Sequence, residues 1–182
     1  VSQRMMAVRA DMTPQMARIA TTRLGGAPRP LRLSYAGQIV RVRGSHARPE
    51  RQFAQVGAEL IGSDQPSADA EVIVMAAQAL TTLGVEDVSI DLSMPTLVPA
   101  FCQPLALEPA TYVELRQALD RKDAAGIDAL SESLGGPAAK VLATLLSAAG
   151  PATETMEIIS ELDLGDAGTR ERDALTTVIS AI

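Results

Sequence analysis

Two alternating runs on either side of an arginine-rich loop limit the folds open to this chain. Gln38–Arg43 and Gln52–Ile61 both read as strands, and Gly44–Arg51 separates them as a polar connection. In the first run Val40 and Val42 share one face, and Ile39, Arg41 and Arg43 share the other. In the second, Ala54, Val56, Ala58 and Leu60 oppose Phe53, Gln55, Gly57, Glu59 and Ile61. Antiparallel pairing that brings the polar faces together sets Arg41 opposite Gln55, Arg43 opposite Phe53 and Ile39 opposite Gly57, because a one-residue slip would turn every side chain over. The expected product is a hairpin with an apolar back and a front of guanidinium, amide and carboxylate groups around a glycine.

That front face admits two readings. It is either the solvated side of an ordinary antiparallel sheet or a platform for a ligand. Arginine suits bidentate capture of a carboxylate or phosphate, Glu59 suits a cation or an N–H, and Gly57 lets a ligand approach the backbone. Gln55 and Glu59 are roughly 13 Å apart along an extended strand, so they would meet different parts of one small molecule. A ligand with one anionic and one nitrogenous end fits, and an amino acid has that form.

The flanking sequence supplies further elements. Thr13 with Pro14 reads as the N-cap and first residue of a helix over 13–24, with Met12, Met16, Ile19 and Ala20 as its apolar stripe and Gly25-Gly26 ending it. Asp11 and Thr13 then stand beside the free N–H groups of a helix start. Leu31–Tyr35 begins the sheet. Pro66 opens a helix to about Leu83, and Val85–Leu92 alternates like another strand. From Pro109 onward every strong period is helical: Tyr112–Leu119, Ala124–Leu134, Pro137–Ala148, Thr153–Leu162 and Thr169–Ile182, with Leu134, Val141, Leu142, Leu145 and Leu146 as a small core. Glu171 and Asp173 read as solvated helix positions. The fold class is therefore α+β, an antiparallel sheet flanked by helices and followed by a helical region.

Composition narrows the chemistry. A net charge of −6 and 2% aromatic residues disfavour a broad nucleic-acid surface. Cys102 is the sole cysteine, read as a small buried apolar residue in a reducing cytoplasm. His46 is the sole histidine, so no multi-histidine metal site can form, and its polar loop implies a solvated ring. No apolar run approaches the roughly 20 residues of a membrane span. There is no Gly-rich phosphate loop, no Ser/His/Asp set and no metal motif, so neither a cofactor nor a metal is expected. Asp11 and Glu59 could form an acid–base pair or pair with Arg41 or Arg43, although the hairpin reading assigns them to binding. The chain lacks an initiator Met and ends on the apolar run Val178–Ile182, which reads as a fragment.

Arg41, followed by Arg51-Gln52-Phe53-Ala54-Gln55-Val56-Gly57-Ala58-Glu59-Leu60-Ile61-Gly62, closely resembles motif 2 of the histidyl-tRNA synthetases, which are class II synthetases. Arg9-Ala10-Asp11-Met12-Thr13 resembles that family's Arg-Pro-Glu-x-Thr amino-acid loop. Arg43 departs from the pattern, since the enzymes carry there a Glu that holds the adenine amino group. Asp11-Met12-Thr13-Pro14-Gln15 and Arg48-Pro49-Glu50-Arg51-Gln52-Phe53 are more similar to the synthetase paralogues that serve as regulatory subunits of ATP phosphoribosyltransferase. This likeness is dense over residues 4–100. It implies a partial class II synthetase-like core over 1–104 and a mainly helical subdomain over 105–182, with the motif 1 and motif 3 regions outside the chain. It also implies a non-catalytic, cytoplasmic protein that binds histidine through Asp11, Thr13, Arg41, Gln55 and Glu59. Such a protein would dimerise within a hetero-oligomer with a short-form catalytic subunit, apart from nucleic acid and membranes. The alternative is the catalytic core of a histidyl-tRNA synthetase, which would activate histidine with ATP.

Overall fold

The computed structural model describes residues 7–44 and 49–182, so His46 and Arg48 lie outside the described residues. The chain forms two compact units, Val1–Ala79 and Leu80–Ile182. The first is built on two strands, β1 (Leu31–Val40) and β2 (Gln52–Ile61), which pair antiparallel. A helix, α1 (Thr13–Thr21), precedes them, and α2 (Pro66–Thr82) follows.

The register differs from the sequence expectation by four residues. Gly57 pairs with Tyr35 rather than Ile39, Gln55 with Gly37 rather than Arg41, and Phe53 with Ile39 rather than Arg43. The cause is continuity: Leu31–Tyr35 and Gln38 onward are one unbroken strand, which pairs with β2 along its whole length. The shorter expected hairpin would have left half of that strand without ladder partners. Because four is an even number, each residue keeps its face. The ladder ends with the Arg41 N–H donating to the Arg51 carbonyl at 2.8 Å, so Arg41 stands at the strand's end instead of its middle.

The two faces also differ from expectation in their exposure. The supposed apolar back is open at Val42 and Val56, which are 87% and 79% exposed. Helix α2 reaches only its far end, where Glu71 receives a bidentate contact from Arg32, at 2.7 Å for the second oxygen, and Val72 and Met75 line one shallow pocket with Ser34, Ala58 and Leu60. The Arg32 guanidinium also holds the Glu71 carboxyl below its ordinary pKa. The opposite face carries Ile39, 2% exposed, and receives the segment before α1.

Thr13 does not cap α1. The N-cap position is Met12, and it is the Asp11 carboxylate that accepts from the Thr13 N–H, at 3.1 Å. At the other end, the Arg29 guanidinium donates to the carbonyl of Ala20 (3.0 Å), an acceptor that the helix terminus leaves open, and to those of Leu24 (3.0 Å) and Ala27 (3.1 Å) in the loop beyond it.

The second unit is helical: α3 (Leu97–Cys102) with a 3-10 turn, α4 (Pro109–Asp120), α5 (Ala124–Ala129), α6 (Ser131–Leu134), α7 (Gly136–Ser147), α8 (Ala152–Ser160) and α9 (Gly165–Ala181). The run expected as one helix over 124–134 breaks at Leu130, and its start is capped by Asp123, whose carboxylate accepts from the Gly126 N–H at 2.9 Å. Val85–Leu92 forms no strand, because the sheet among the described residues is complete with β1 and β2 and this run has no ladder partner. Leu115, Ile127 and Leu142 are fully buried, with Leu134 and Leu164 beside them, while Val141, Leu145 and Leu146 are partly buried against this core. Cys102 is buried in the same cluster, and desolvation pushes its thiol pKa up. Glu171 is not simply solvated: it accepts from the Thr96 hydroxyl at 2.5 Å, which ties α9 to the start of α3. Among the described residues no helix is long and apolar enough to cross a membrane.

Truncating a fully buried leucine leaves a cavity as well as losing transfer energy. Leu142→Ala should therefore lower the unfolding free energy by about 2–5 kcal/mol. Val113→Ala, at a side chain 54% exposed, should change it by no more than about 0.5 kcal/mol. Urea unfolding of the two variants checks both values.

Candidate functional site

On the more covered face of the hairpin, β2 presents Phe53, Gln55, Gly57 and Glu59 in succession, and β1 presents Tyr35, Gly37 and Ile39 across from them. The segment Arg9–Met12 lies over this face. It is pinned to the outer edge of β1, where the Val40 N–H donates to the Arg9 carbonyl (3.0 Å) and the Arg9 Nε donates to the Gln38 carbonyl (2.8 Å). Arg9 also donates to the Gln15 side-chain oxygen at 3.2 Å. Gly37 leaves room for this seat: a Cβ there would run into the Arg9 guanidinium, which would have to shift, and come within 3.1 Å of the Met12 sulfur.

Gln55 joins the segment to the sheet. Its Oε1 accepts from the Met12 N–H at 2.9 Å, and its Nε2 donates to Asp11 Oδ1 at 2.7 Å. Partners that can only donate or only accept fix the orientation of this amide. Donation from Gln55, then from the Thr13 N–H, holds the Asp11 carboxyl below its ordinary pKa. A second line of contacts runs alongside: the Thr13 hydroxyl is 3.0 Å from the Tyr35 hydroxyl, which donates to Glu59 Oε1 at 3.2 Å. The Tyr35 ring lies directly over Gly57, where any Cβ would strike it. Arg41 is set apart from these contacts, its guanidinium 5.0 Å from the centroid of the Phe53 ring, a cation–π distance.

Of the five candidate residues, Asp11, Thr13, Gln55 and Glu59 are thus drawn into two short hydrogen-bonded chains that share one face. Arg41 stands at the open end of that face, next to Phe53. The expected pairing of Arg41 with Gln55 across the ladder is not present. Arg43 is exposed in the loop after β1. Asp11 and Glu59 do not pair with Arg41 or Arg43 among the described residues, where the ion pairs are Arg32–Glu71 and Arg172–Asp173. Tyr35 is the residue that sequence reasoning missed. The available signal was parity: it lies on the same face as Gln55 and Glu59, and a glycine on the opposite strand is the space an aromatic ring can fill.

Chemically, the face offers carboxylate, hydroxyl and amide oxygens at one side and a guanidinium at the other, an arrangement suited to a zwitterion. The fold is histidyl-tRNA synthetase-like, as the family model and a solved structure both indicate. The chain belongs to the histidyl-tRNA synthetase family, whose model matches residues 1–182. It is 56% identical, over 98% of its length, to a protein of Paramagnetospirillum magneticum named ATP phosphoribosyltransferase regulatory subunit. It is also 50% identical over 100% of its length to the protein of that name from Rhodospirillum centenum. It spans 46% of each of these two proteins, about half the length of the curated relatives it matches. Among solved structures it resembles an ATP phosphoribosyltransferase regulatory subunit/histidyl-tRNA synthetase from Bacillus halodurans, with a TM-score of 0.77 and 26% identity, over 95% of this chain and 45% of that one.

The depressed pKa of Asp11 has a defined sign. Its contribution to stability is fully present above its ordinary value of 3.8 and is lost as pH falls through the lower, folded-state value. A carboxyl NMR titration should place Asp11 below 3.8 and show Gln55→Ala moving it upward. An Asp11 titration unchanged by that substitution would contradict the assignment.

Proposed function

We propose that this chain is part of a regulatory subunit of ATP phosphoribosyltransferase, the enzyme of the first step of histidine biosynthesis, and that its hairpin face binds histidine without catalysing a reaction. The observation that carries the reading is the convergence of Asp11, Thr13, Gln55 and Glu59 on one face with Arg41 at its open end. The regulatory-subunit names of the relatives indicate which enzyme is served.

In this reading Arg41 holds the histidine carboxylate, swinging from Phe53 or reaching beside it. Asp11, Thr13 and Gln55 hold the ammonium group, and Glu59 receives an imidazole N–H. The partner is a short-form catalytic subunit, met in the cytoplasm by a homodimer within a hetero-oligomer, with no role for nucleic acid. Histidine signals to that partner only if it binds two states of the assembly with different affinities.

The competing reading is a histidyl-tRNA synthetase that forms histidyl-adenylate, and the family to which the chain belongs is the reason to weigh it. Arg43 weighs against it. A guanidinium has no acceptor, so it cannot take the adenine amino hydrogens that a glutamate takes at the corresponding place in the enzymes.

Added to a short-form ATP phosphoribosyltransferase, the full-length protein should raise its activity, and histidine should then suppress that gain. No change in activity, together with histidine-dependent exchange of pyrophosphate into ATP, would establish the synthetase instead. Charge-assisted contacts of the kind assigned to Glu59 are worth about 1.5–3 kcal/mol. Glu59→Ala should accordingly weaken histidine binding by about tenfold or more in calorimetry, and unaltered affinity would remove Glu59 from the site.

A further inference from the structure

The Tyr35 hydroxyl is the only group that touches both Thr13 and Glu59 in the contacts described above, at 3.0 Å and 3.2 Å. We propose that Tyr35 fixes the hydrogen-bond polarity of this face, so that Thr13 and Glu59 both meet a ligand as acceptors and the site selects molecules that donate at both ends. The proposal rests on the ligand-binding reading above and deepens it.

The polarity follows by elimination. A carboxylate only accepts, so the Tyr35 hydroxyl must spend its single hydrogen on Glu59. Tyr35 then has only lone pairs left, so the hydrogen between it and Thr13 must come from Thr13. The threonine hydroxyl is left with an acceptor lone pair and nothing to give. An ammonium group satisfies it, whereas a carbonyl oxygen in the same place would face lone pair against lone pair, and the desolvated acceptor would go unpaired. Glu59, held by Tyr35 on one oxygen, presents its remaining lone pairs to an N–H.

The backbone supports this arrangement at one point. The ring lies across β2 where residue 57 is glycine, and a Cβ there would come well inside van der Waals contact of the Tyr35 ring and hydroxyl, so the ring would have to move. The cross-strand pairing of Tyr35 with Gly57 puts the ring over that gap. Tyr35 acts here as a positioning residue that works through Thr13 and Glu59.

Calorimetry on the full-length protein with two probes tests the idea: L-histidine, which donates from its ammonium group, and imidazolepyruvate, whose keto oxygen in that position only accepts. Tyr35→Phe keeps the ring and removes the hydroxyl. It should weaken histidine about tenfold and leave imidazolepyruvate unchanged or tighter, because the released Thr13 hydrogen can then turn toward a carbonyl. The preference ratio should fall by about tenfold or more. Gly57→Ala retains every polar group but displaces the ring, and should lower the ratio in the same direction. Equal weakening of both ligands by Tyr35→Phe would mean a purely structural tyrosine and overturn the proposal, as would an unchanged ratio. A wild-type protein that binds no histidine at millimolar concentration would instead overturn the parent reading, and this one with it.

Discussion

The Gln55 amide is the contact on which the candidate site depends. It is held by β2, accepts from the backbone of Met12 and donates to the side chain of Asp11, so it spans more than forty positions of sequence with one planar group. No aliphatic side chain can replace it, since both partners are polar groups whose pairing would be lost together. The Thr13 contact with Tyr35 follows from that placement. Once Met12 and Asp11 are seated, Thr13 is at the start of α1 and its hydroxyl reaches the ring that crosses Gly57. The ladder between β1 and β2 fixes where Gln55 stands, and Gln55 fixes where the loop stands.

The two units are stabilised in different ways. The helical unit has a conventional core, with Leu115, Ile127, Leu142 and Leu164 almost wholly removed from water, so its stability comes mainly from apolar burial and packing. Among its described residues, the unit that carries the hairpin buries Met12, Ala20, Ile39 and Ala70. It relies more on directed contacts: the Arg29 guanidinium on the end of α1, Arg9 on the edge of β1, and Arg32 on Glu71. Such contacts contribute less per pair than burial does but specify geometry more narrowly, which suits a surface that must present particular atoms.

Much of this was readable in the sequence. β2 occupies the span its alternation indicated, and the parity of Gln55, Gly57 and Glu59 on one face holds, because the two-residue repeat of a strand survives any even shift. The register did not follow from the same pattern. It depends on whether Leu31–Tyr35 and Gln38 onward join, and Ala36-Gly37 between them looks like a break until Arg9 and Met12 are seen to fill the space above the glycine. Tyr35 went unnoticed for that reason, since its importance exists only in the longer register. Thr13 showed the opposite failure. Local rules favour it as a helix cap, but a tertiary partner 22 positions away takes its hydroxyl and Asp11 takes over the helix start. Val85–Leu92 had the alternation of a strand without a partner, and alternation alone does not make a ladder.

Gly37 and Gly57 stand two positions apart in the ladder on the same face, and each is covered by a side chain from elsewhere: Arg9 and Met12 over one, the Tyr35 ring over the other. Neither glycine carries a functional group, yet a single methyl at either position would displace the groups that do. A substitution survey that reads ligand binding would therefore find an effect at two residues with no chemistry of their own. Any drift in ligand preference among related proteins would be expected to begin with the side chains that lie over them.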